Sequence, residues 1–389
     1  MDRSNRSLDR GEMLSERERL ILALLREQGE LTRSNLIRLT GLSGTAVFRA
    51  TEELVSQGLI HLGEPQAQGR GQPSHSVSLR QDAVFSAGLA VMTDLAEMLL
   101  INFSGRVVHS LTLPMDGMSR DELLHRLETF IADAARNGVV VPNRIHSLGV
   151  AVAGFFIGDG SKLNPGPELD DWALVDLENL IGQRLGMTVM VENIANAAAL
   201  GEQLLGHGRN LSDFAYVSVA SGFGGGLIRD GKLWRGTHGN AGEFAALLRH
   251  AGCETPNLES LRASMARHGF QTSNVRDMIV CFDIGLPGVA EWVDWAAPIF
   301  ARLALLVHAT VDMQALVLGG RLPGQLAGLV AERATQLLQQ QDHVPRRGSG
   351  LPPPQILPAE ISSDAAAIGA ATIPLARDYF SPVSHLRTA

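Results

Sequence analysis

Residues 191–203, with the sequence VENIANAAALGEQ, predict a buried strand that continues directly into a helix of small residues. Glu192 and Asn193 lie at this junction and supply a carboxylate and an amide, two groups that bind hydroxyls well. The next residue, Ile194, is apolar at a place where a carboxylate would make chemical sense. Isoleucine cannot accept a proton, so the polar binding groups of the junction end at Asn193.

A second candidate site is the run ASGFGGGLIRD at residues 220–230. Ser221, Gly222, Gly224 and Gly225 could form a phosphate cradle, in which backbone N–H groups bind the anion. The same glycines are equally typical of a tight turn between two core strands, where only glycine allows close approach. The run alone leaves both interpretations open.

The composition is that of an ordinary globular protein, with 389 residues of which 45% are hydrophobic and 19% charged. A chain of this length predicts two or three domains, since single cores rarely grow past about 250–300 residues. The two cysteines, Cys253 and Cys281, argue against a disulfide framework and favour a reducing compartment. The most apolar stretch, residues 299–311, carries Arg302 and His308, which favours a core helix over a membrane span. With no secretory signal pattern at the start, we expect a cytoplasmic protein that does not bind membranes.

Charge divides the chain into two unlike parts. Residues 1–80 hold 11 arginines and 10 acidic residues, whereas the remainder holds 22 basic and 31 acidic residues. An acidic body is poorly suited to bind nucleic acid, so any DNA contact is expected from the near-neutral head.

The head predicts a winged helix-turn-helix. After a first amphipathic helix, Thr32 and Ser43 can cap two further helices, separated by Gly41. Two short helices joined by a glycine turn are typical of the helix-turn-helix motif. Residues 59–79 add two β-like runs around a Gly/Pro/Gln-rich tip, as expected for a wing. A small helical dimerisation module with the same core pattern is the alternative.

The DNA-contacting residues follow from this prediction. The start of a recognition helix meets base edges, which assigns Ser43, Thr45, Phe48 and Arg49 to the DNA surface. Arg70 lies at the predicted wing tip, where a cation can enter a minor groove.

From residue 81 the pattern changes to alternating strands and helices, which predicts an α/β body of two similar lobes with a cleft between them. The expected domains are the winged head (1–80), a first lobe (81–200) completed by the C-terminal helix (363–389), and a second lobe (201–362). Within the second lobe, Asp230-Gly231 suits the type I′ turn of a hairpin.

These motifs carry a family resemblance that covers nearly the whole chain. The block ASGFGGGLIRDGKLWRGTHGNAGE (220–243) resembles the glycine-rich core of the ROK family (repressors, open reading frames, kinases). The segments VENIANAAALGE, ALVLGG and DAAAIGAA, and a winged head followed by GRGQP, are similar to the family as well. The resemblance implies an actin-like, sugar-kinase fold of two ribonuclease H-like lobes. It also implies a sugar-responsive transcriptional regulator, the class that includes the xylose and N-acetylglucosamine repressors.

Two departures from the family's kinases argue against catalysis. The kinases have an aspartate general base at the position of Ile194, and an Asp-x-Gly turn for Mg-ATP phosphates at the positions of Ala90 and Met92. Loss of a general base alone costs about 10²–10⁴-fold in rate. Without these groups, the glycine run is expected to be a tight turn and not a phosphate site. We therefore expect no enzymatic activity, no catalytic residue and no cofactor.

The resemblance also implies a sugar site. Its residues are expected to be Asn193, Glu243, Glu259 and Glu168, with Asp171 as an alternative to Glu168 in a loosely matched loop. The competing interpretation is that Glu243 and Glu259 cap or brace helices.

The family's zinc site is expected to be lost. The family has a histidine where this chain has Ala246, and a cysteine-rich loop where it has LRHAGCETPN. His250 and Cys253 cannot by themselves complete a structural zinc site, which takes four ligands. The sequence therefore predicts no metal.

Three functions remain open. The favoured one is a transcriptional regulator that binds operator DNA as a homodimer or higher homo-oligomer and senses a sugar or sugar derivative. The second is a sugar kinase with displaced catalytic groups. The third is a regulator without a ligand, controlled by a partner protein or constitutively active.

Overall fold

A three-helix head with a wing opens the chain. The computed structural model describes residues 14–66, 74–158, 162–341, 354–361 and 364–381. The head's elements are α1 (Glu16–Gln28), β1 (Leu31–Thr32), α2 (Arg33–Thr40), α3 (Gly44–Ser56), β2 (Ile60–Gln66) and β3 (Ser74–Leu79). The three strands form an antiparallel sheet in the order β1-β3-β2.

Side-chain caps start the head's helices where the sequence predicts them. Thr32 caps α2 by accepting a hydrogen bond from the Asn35 amide, and Ser43 caps α3 by accepting from the Ala46 amide. Gly41 ends α2 in the left-handed conformation, at a φ of 68°, which a residue without Cβ adopts freely. The predicted winged helix-turn-helix is confirmed in residues 14–66 and 74–79.

The first lobe is a five-stranded sheet with helices on its faces. Its elements are β4 (Phe85–Val91), β5 (Leu95–Asn102), β6 (Val107–Pro114), α4 (Arg120–Arg136), β7 (Ile145–Val152), β8 (Phe155–Ile157), β9 (Lys162–Asn164), α5 (Leu177–Leu185), β10 (Thr188–Asn193) and α6 (Ile194–Leu205). The sheet order is β10-β7-β4-β5-β6, with β8 and β9 forming a separate hairpin. Strand β7 pairs in parallel with β4 and with β10. Strand β5 pairs antiparallel with β4 and with β6.

The second lobe repeats this order. Its elements are β11 (Phe214–Val219), β12 (Phe223–Arg229), β13 (Lys232–Leu233), α7 (Phe244–His250), α8 (Leu258–Arg267), α9 (Val275–Val280), α10 (Val289–Val311), β14 (Ala315–Gly320), α11 (Gly324–Gln341) and β15 (Gln355–Pro358). The last helix of the described residues is α12 (Ala365–Tyr379). Its sheet order is β13-β12-β11-β14-β15, so an antiparallel meander again continues into parallel strands. Two sheets of the same topology confirm the predicted pair of α/β lobes.

Helices α6 and α12 join the two sheets. Helix α12 packs on α6 and on strands β4 and β7 of the first sheet, while α6 also packs on β11 and β12 of the second. The helices approach so closely that a Cβ at Gly369 would lie 1.7 Å from the Ala197 carbonyl oxygen. This contact explains the small-residue runs of both helices, and it associates the C-terminal helix with the first sheet. The boundaries at residues 80, 200 and 362 stay a prediction.

The stretch that the sequence analysis assigned to a core helix forms part of α10. By length and composition alone, α10 is the one helix of the described ranges that could cross a membrane. Its side chains Trp292, Phe300 and Val307 are buried against α8, α11 and β14. Helix α10 is thus a core helix of the second lobe.

Candidate functional site

Asn193 ends β10 and caps α6. Its side-chain oxygen accepts hydrogen bonds from the amides of Ala195 (2.8 Å) and Asn196 (3.1 Å), and its Nδ2 donates to the Gly154 carbonyl. These bonds satisfy two of the free N–H groups that every helix start exposes. Asn193 therefore has a structural role at this position, in addition to the sugar contact that the sequence analysis predicts for it.

Glu192 is buried at the same junction and is paired across the lobes. Its Oε1 accepts from the Asn193 amide (2.9 Å) and from Asn196 Nδ2 (3.0 Å). Its Oε2 accepts from Nε of Arg235 (2.9 Å), which lies in the loop after β13 of the second lobe. Arg235 is not among the functional residues predicted from the sequence, where its only signal is its place inside the family-like block 220–243.

Ile194 is the first residue of α6 and is half-buried. Its side chain packs against the apolar cluster that includes Ala197, Ala198 and Tyr216. An apolar side chain therefore stands where the resemblance places a general base, at the positive end of a helix.

The glycine run lies in β12, which pairs with β11. A Cβ at Gly225 would lie 2.3 Å from the ring of Phe244, and one at Gly224 would lie 3.3 Å from the Cβ of Ala195. Gly222, in the turn before β12, faces open space. The Ser221 Oγ is buried and has no hydrogen-bond partner among the described residues. Close packing thus accounts for Gly224 and Gly225, while Ser221 and Gly222 have no such explanation.

Two of the predicted sugar-binding residues lie beside this run. Glu243 follows Gly242, whose carbonyl oxygen lies close to Gly225. Burial raises the pKa of the Glu243 carboxyl, and the nearby Arg249 opposes that rise. Glu259 lies at the start of α8, where the amide of its neighbour Leu258 donates to the Ala220 carbonyl (2.8 Å). Glu259 is exposed and forms an ion pair with Arg262 of its own helix, so it braces α8.

Glu168 belongs to the first lobe, whereas Glu243 and Glu259 belong to the second. It is exposed on a short 3-10 turn, Pro167–Trp172, of the first lobe. In the same turn, Asp171 accepts hydrogen bonds from the backbone amide of Arg120 at the start of α4 and, through its carbonyl oxygen, from the Arg120 side chain. Asp171 is therefore engaged within the first lobe.

The β4–β5 turn, where the resemblance places the phosphate-binding turn of the kinases, contacts the second lobe. Ala90 and Met92 are buried in the core. Asp94 forms an ion pair with Arg321, which follows β14 of the second lobe and is itself buried. The opposing lobe thus reaches the turn through a guanidinium group.

A buried carboxyl group lies next to this ion pair. Burial raises the pKa of Glu97 to about 8; Asp364 and Asp94 add to the rise, and Arg321 opposes it. Its Oε2 has no hydrogen-bond partner among the described residues. Glu97 is therefore neutral over most of the physiological range.

The start of α3 presents the face predicted for DNA. Thr45, Phe48 and Arg49 are exposed, whereas Val47 and Leu54 of the same helix are buried. The guanidinium of Arg33 lies 4.7 Å from the centre of the Phe48 ring. Ser43 is engaged as the helix cap, and Arg70 lies outside the described residues.

Comparison with known proteins identifies the two parts of the chain. The model of the ROK family matches residues 88–377, and the model described as winged helix-turn-helix DNA-binding matches residues 14–61. The chain belongs to the ROK family. It is 26% identical over 373 residues to the uncharacterized protein y4fQ of Sinorhizobium fredii, covering 95% of this chain and 93% of that one. It is 29% identical over 226 residues to the xylose repressor of Caldicellulosiruptor bescii, covering 58% of this chain and 56% of the repressor.

A solved structure shares the fold over almost the full length. The crystal structure of a ROK family transcriptional regulator, a homologue of the Escherichia coli MLC protein, superimposes with a TM-score of 0.68 at 18% identity. The match covers 95% of this chain and 98% of that one. The order of winged head and two-lobed body is therefore common to both proteins.

The segment after α7 lies where the resemblance places the family's zinc site. His250 Nδ1 lies 2.8 Å from the Ala246 carbonyl oxygen, and the thiol of Cys253 lies 3.7 Å from the carbonyl oxygen of Ala251. Elsewhere in the described ranges, Glu202, His207 and Glu360 bring three potential ligand atoms together. However, Glu202 already accepts hydrogen bonds from the amides of His207, Glu360 and Ile361. The absence of a metal stays a prediction.

Proposed function

We propose that this chain is a DNA-binding transcriptional regulator whose ROK body responds to a sugar or sugar derivative and has no kinase activity. The observation that carries the proposal is the start of α3: Thr45, Phe48 and Arg49 are exposed there, while Val47, Ala50 and Leu54 of the same helix are buried in the head. Recognition helices present such polar and cationic side chains to base edges in the major groove. The resemblance to the xylose repressor supports a sugar as the effector.

The body supports ligand sensing because, besides the packing of α6 against both sheets, polar contacts connect the two lobes. Arg235 pairs with Glu192, Arg321 pairs with Asp94, and Asn240 exchanges two hydrogen bonds with the backbone of Phe156. A ligand that binds the closed arrangement more tightly than the open one shifts the population of the two. A coupling of about 1–3 kcal/mol would change operator affinity about 5–150-fold.

Three features support the loss of catalysis. Ile194 has no proton-accepting group, Met92 fills space at the turn expected to hold phosphates, and Asp94 is paired with Arg321. Phosphoryl transfer is catalysed mainly by positioning the phosphates and stabilising their charge. A chain that does neither should lose most of the catalytic rate. With no phosphoryl transfer to perform, the cleft serves binding alone.

The regulator is proposed to act in the cytoplasm as a homodimer or a higher homo-oligomer. Winged helix-turn-helix proteins that read palindromic operators match the twofold symmetry of the site with their own. Dimerisation is expected through apolar surface outside the cleft.

The decisive experiment is selection of duplexes from a random-sequence pool by the full chain, followed by affinity measurement on the enriched duplex. Arg49→Ala should weaken binding by about 1–3 kcal/mol and relax the preference at one position. Arg126→Ala, an exposed arginine of α4, is the matched control and should bind like the parent. No enrichment of any sequence would exclude a role in specific DNA recognition.

The effector is tested separately by melting the protein against a panel of sugars. A stabilising sugar should also change the affinity for the selected duplex, since coupling between two sites is reciprocal. Stabilisation by none of the sugars, with specific DNA binding intact, would favour the ligand-independent regulator. Sugar-dependent ADP formation by the parent protein would instead favour the kinase.

A further inference from the structure

A large cavity lies where the head meets both lobes. It measures about 720 Å³ and is separate from the residues assigned above to sugar binding. Its walls are α1 of the head, the segment from α6 to residue 212, the turn between β12 and β13, and the C-terminal half of α12. It is therefore in contact with all three parts of the molecule.

The lining is strongly cationic although the protein as a whole carries a formal charge of −8. Among the described residues, six basic side chains and one carboxylate, Glu27, line the cavity. The basic residues are Arg19, Arg26, Arg209, Lys232, Arg235 and Arg377. Arg235 and Arg377 are balanced by Glu192 and Asp378. Arg19, Arg26 and Lys232 add further positive charge to the lining.

Two of the arginines are desolvated at the head–body contact. Arg19 donates through Nη2 to the carbonyl oxygens of Ala376 (3.3 Å) and Phe380 (3.0 Å), and its Nε is buried without a partner among the described residues. Arg26 lies over the Phe380 ring at 4.4 Å. Desolvation lowers the pKa of Arg26 to about 10, with Glu27 opposing the fall and Arg209 adding to it. A cation removed from water in this way gains from any anion placed beside it.

We infer that this cavity is a second small-molecule site, distinct from the sugar cleft, that binds a phosphomonoester. Arginine guanidinium groups match the geometry of phosphate oxygens, and those of the lining come from α1, α12 and the segments after α6 and β13. The volume exceeds what inorganic phosphate requires and lies within the range of cavities that bind organic ligands. Apolar side chains from α6 and α12, among them Leu204 and Ile373, would contact the organic part of such a ligand.

The position of Arg235 connects the two sites. Arg235 lines this cavity and also pairs with Glu192, which accepts hydrogen bonds from Asn193 and Asn196 at the start of α6. A phosphate group that draws Arg235 away from Glu192 would alter the junction next to the predicted sugar site. The phosphomonoester is therefore expected to change the affinity for sugar, and sugar to change the affinity for the phosphomonoester by the same factor.

Calorimetric titration of the full chain tests the inference with four probes: glucose 6-phosphate, adenosine monophosphate, inorganic phosphate and glucose. The two phosphomonoester arms distinguish a sugar phosphate from a nucleotide as the source of the ligand. At least one of them should bind more tightly than inorganic phosphate, and that binding should weaken below about pH 6 as the phosphate loses its second charge. Absence of binding by both phosphomonoesters would overturn the inference.

Substitutions locate the binding. Lys232→Gln changes an exposed side chain and should weaken phosphomonoester binding about tenfold while leaving glucose binding unchanged. Arg26→Gln should do the same, and its melting temperature reports whether the head–body contact survives. Arg333→Gln removes an exposed arginine of α11 and is the control, which should bind like the parent. Equal affinity of Lys232→Gln and Arg333→Gln would place the phosphate elsewhere. Displacement of the phosphomonoester by non-operator duplex DNA would assign the cationic lining to the DNA backbone instead.

Discussion

Glu192 and Arg235 form an ion pair between the two lobes, with Oε2 and Nε 2.9 Å apart, while the glutamate is almost fully buried and the arginine is half-exposed. Removing the arginine leaves the buried carboxylate with only its two remaining donors. Arg235→Ala should therefore lower the free energy of unfolding by about 1–3 kcal/mol. Urea unfolding measures the loss. Arg333→Ala, which breaks an exposed pair with Asp294, should cost under about 1 kcal/mol.

Glu97 should make stability depend on pH. Its pKa lies near 8 in the folded chain and at its ordinary value of 4.5 in the unfolded chain, so between these values only the folded state keeps the proton. The stability contributed by this proton is complete below pH 4.5 and is lost as the pH rises to about 8.

Glu97→Gln should remove this dependence, because an amide keeps the shape without a titrating proton. The free energy of unfolding of the parent, measured in urea, should fall relative to that of the variant between about pH 5 and about pH 8, by at most about 5 kcal/mol, since one pKa unit corresponds to about 1.4 kcal/mol. Glu332→Gln, an exposed residue of α11, is the control and should follow the parent. Parallel profiles of Glu97→Gln and the parent would contradict the assignment.

Local sequence signals predicted the elements well. These signals act within a few residues of the chain. They are the caps Thr32 and Ser43, the left-handed Gly41, and the Asp230-Gly231 turn, in which both residues have positive φ. The small-residue helices were also visible in the sequence, although their reason, the close approach of Gly369 to Ala197, requires the folded structure.

Long-range pairs could not be predicted in the same way. Arg235 and Arg321 meet Glu192 and Asp94 across the lobe boundary, over separations of 43 and 227 residues. Nothing in the periodicity of a strand or helix specifies such a partner. The cationic cavity is hidden for the same reason, since its arginines come from α1, α12 and the segments between the lobes. The sequence therefore predicted the segments of the candidate site better than the contacts between them.

An apolar surface on the second lobe is the candidate dimer interface. Trp295, Leu305 and Leu306 are exposed on α10, and Trp295 and Leu306 lie three helical turns apart on one face. Leu306→Glu should raise the dimer dissociation constant at least about tenfold, because a carboxylate would be buried against apolar surface. Light scattering over a concentration series measures the change.

Val141→Glu is the control for this experiment, since Val141 is exposed on the first lobe, far from α10 in the chain. It should leave the dissociation constant unchanged. A parent protein that is monomeric at micromolar concentration and still binds a palindromic duplex would contradict dimerisation altogether.

Ile194→Asp should not restore a kinase. The carboxylate would stand at the first position of α6, where the helix dipole stabilises an anion by about 0.3–1 kcal/mol and offsets part of the cost of burial. A general base is worth about 10²–10⁴-fold only when the phosphates are held, and Met92 and the Asp94–Arg321 pair occupy the turn where they would bind.

The measurement compares Ile194→Asp with Ile194→Asn, which has nearly the same shape but no proton-accepting carboxylate. Both variants are assayed for ADP formation with a sugar panel, and their unfolding is followed in urea with and without each sugar. We expect no sugar-dependent ADP formation by either variant and free energies of unfolding within about 1 kcal/mol of each other. Tighter sugar binding by Ile194→Asp without turnover would show that the cleft keeps a sugar-shaped site. ADP formation by Ile194→Asp above the Asn variant would show that the phosphates are held after all, and that Ile194 alone separates this chain from an enzyme.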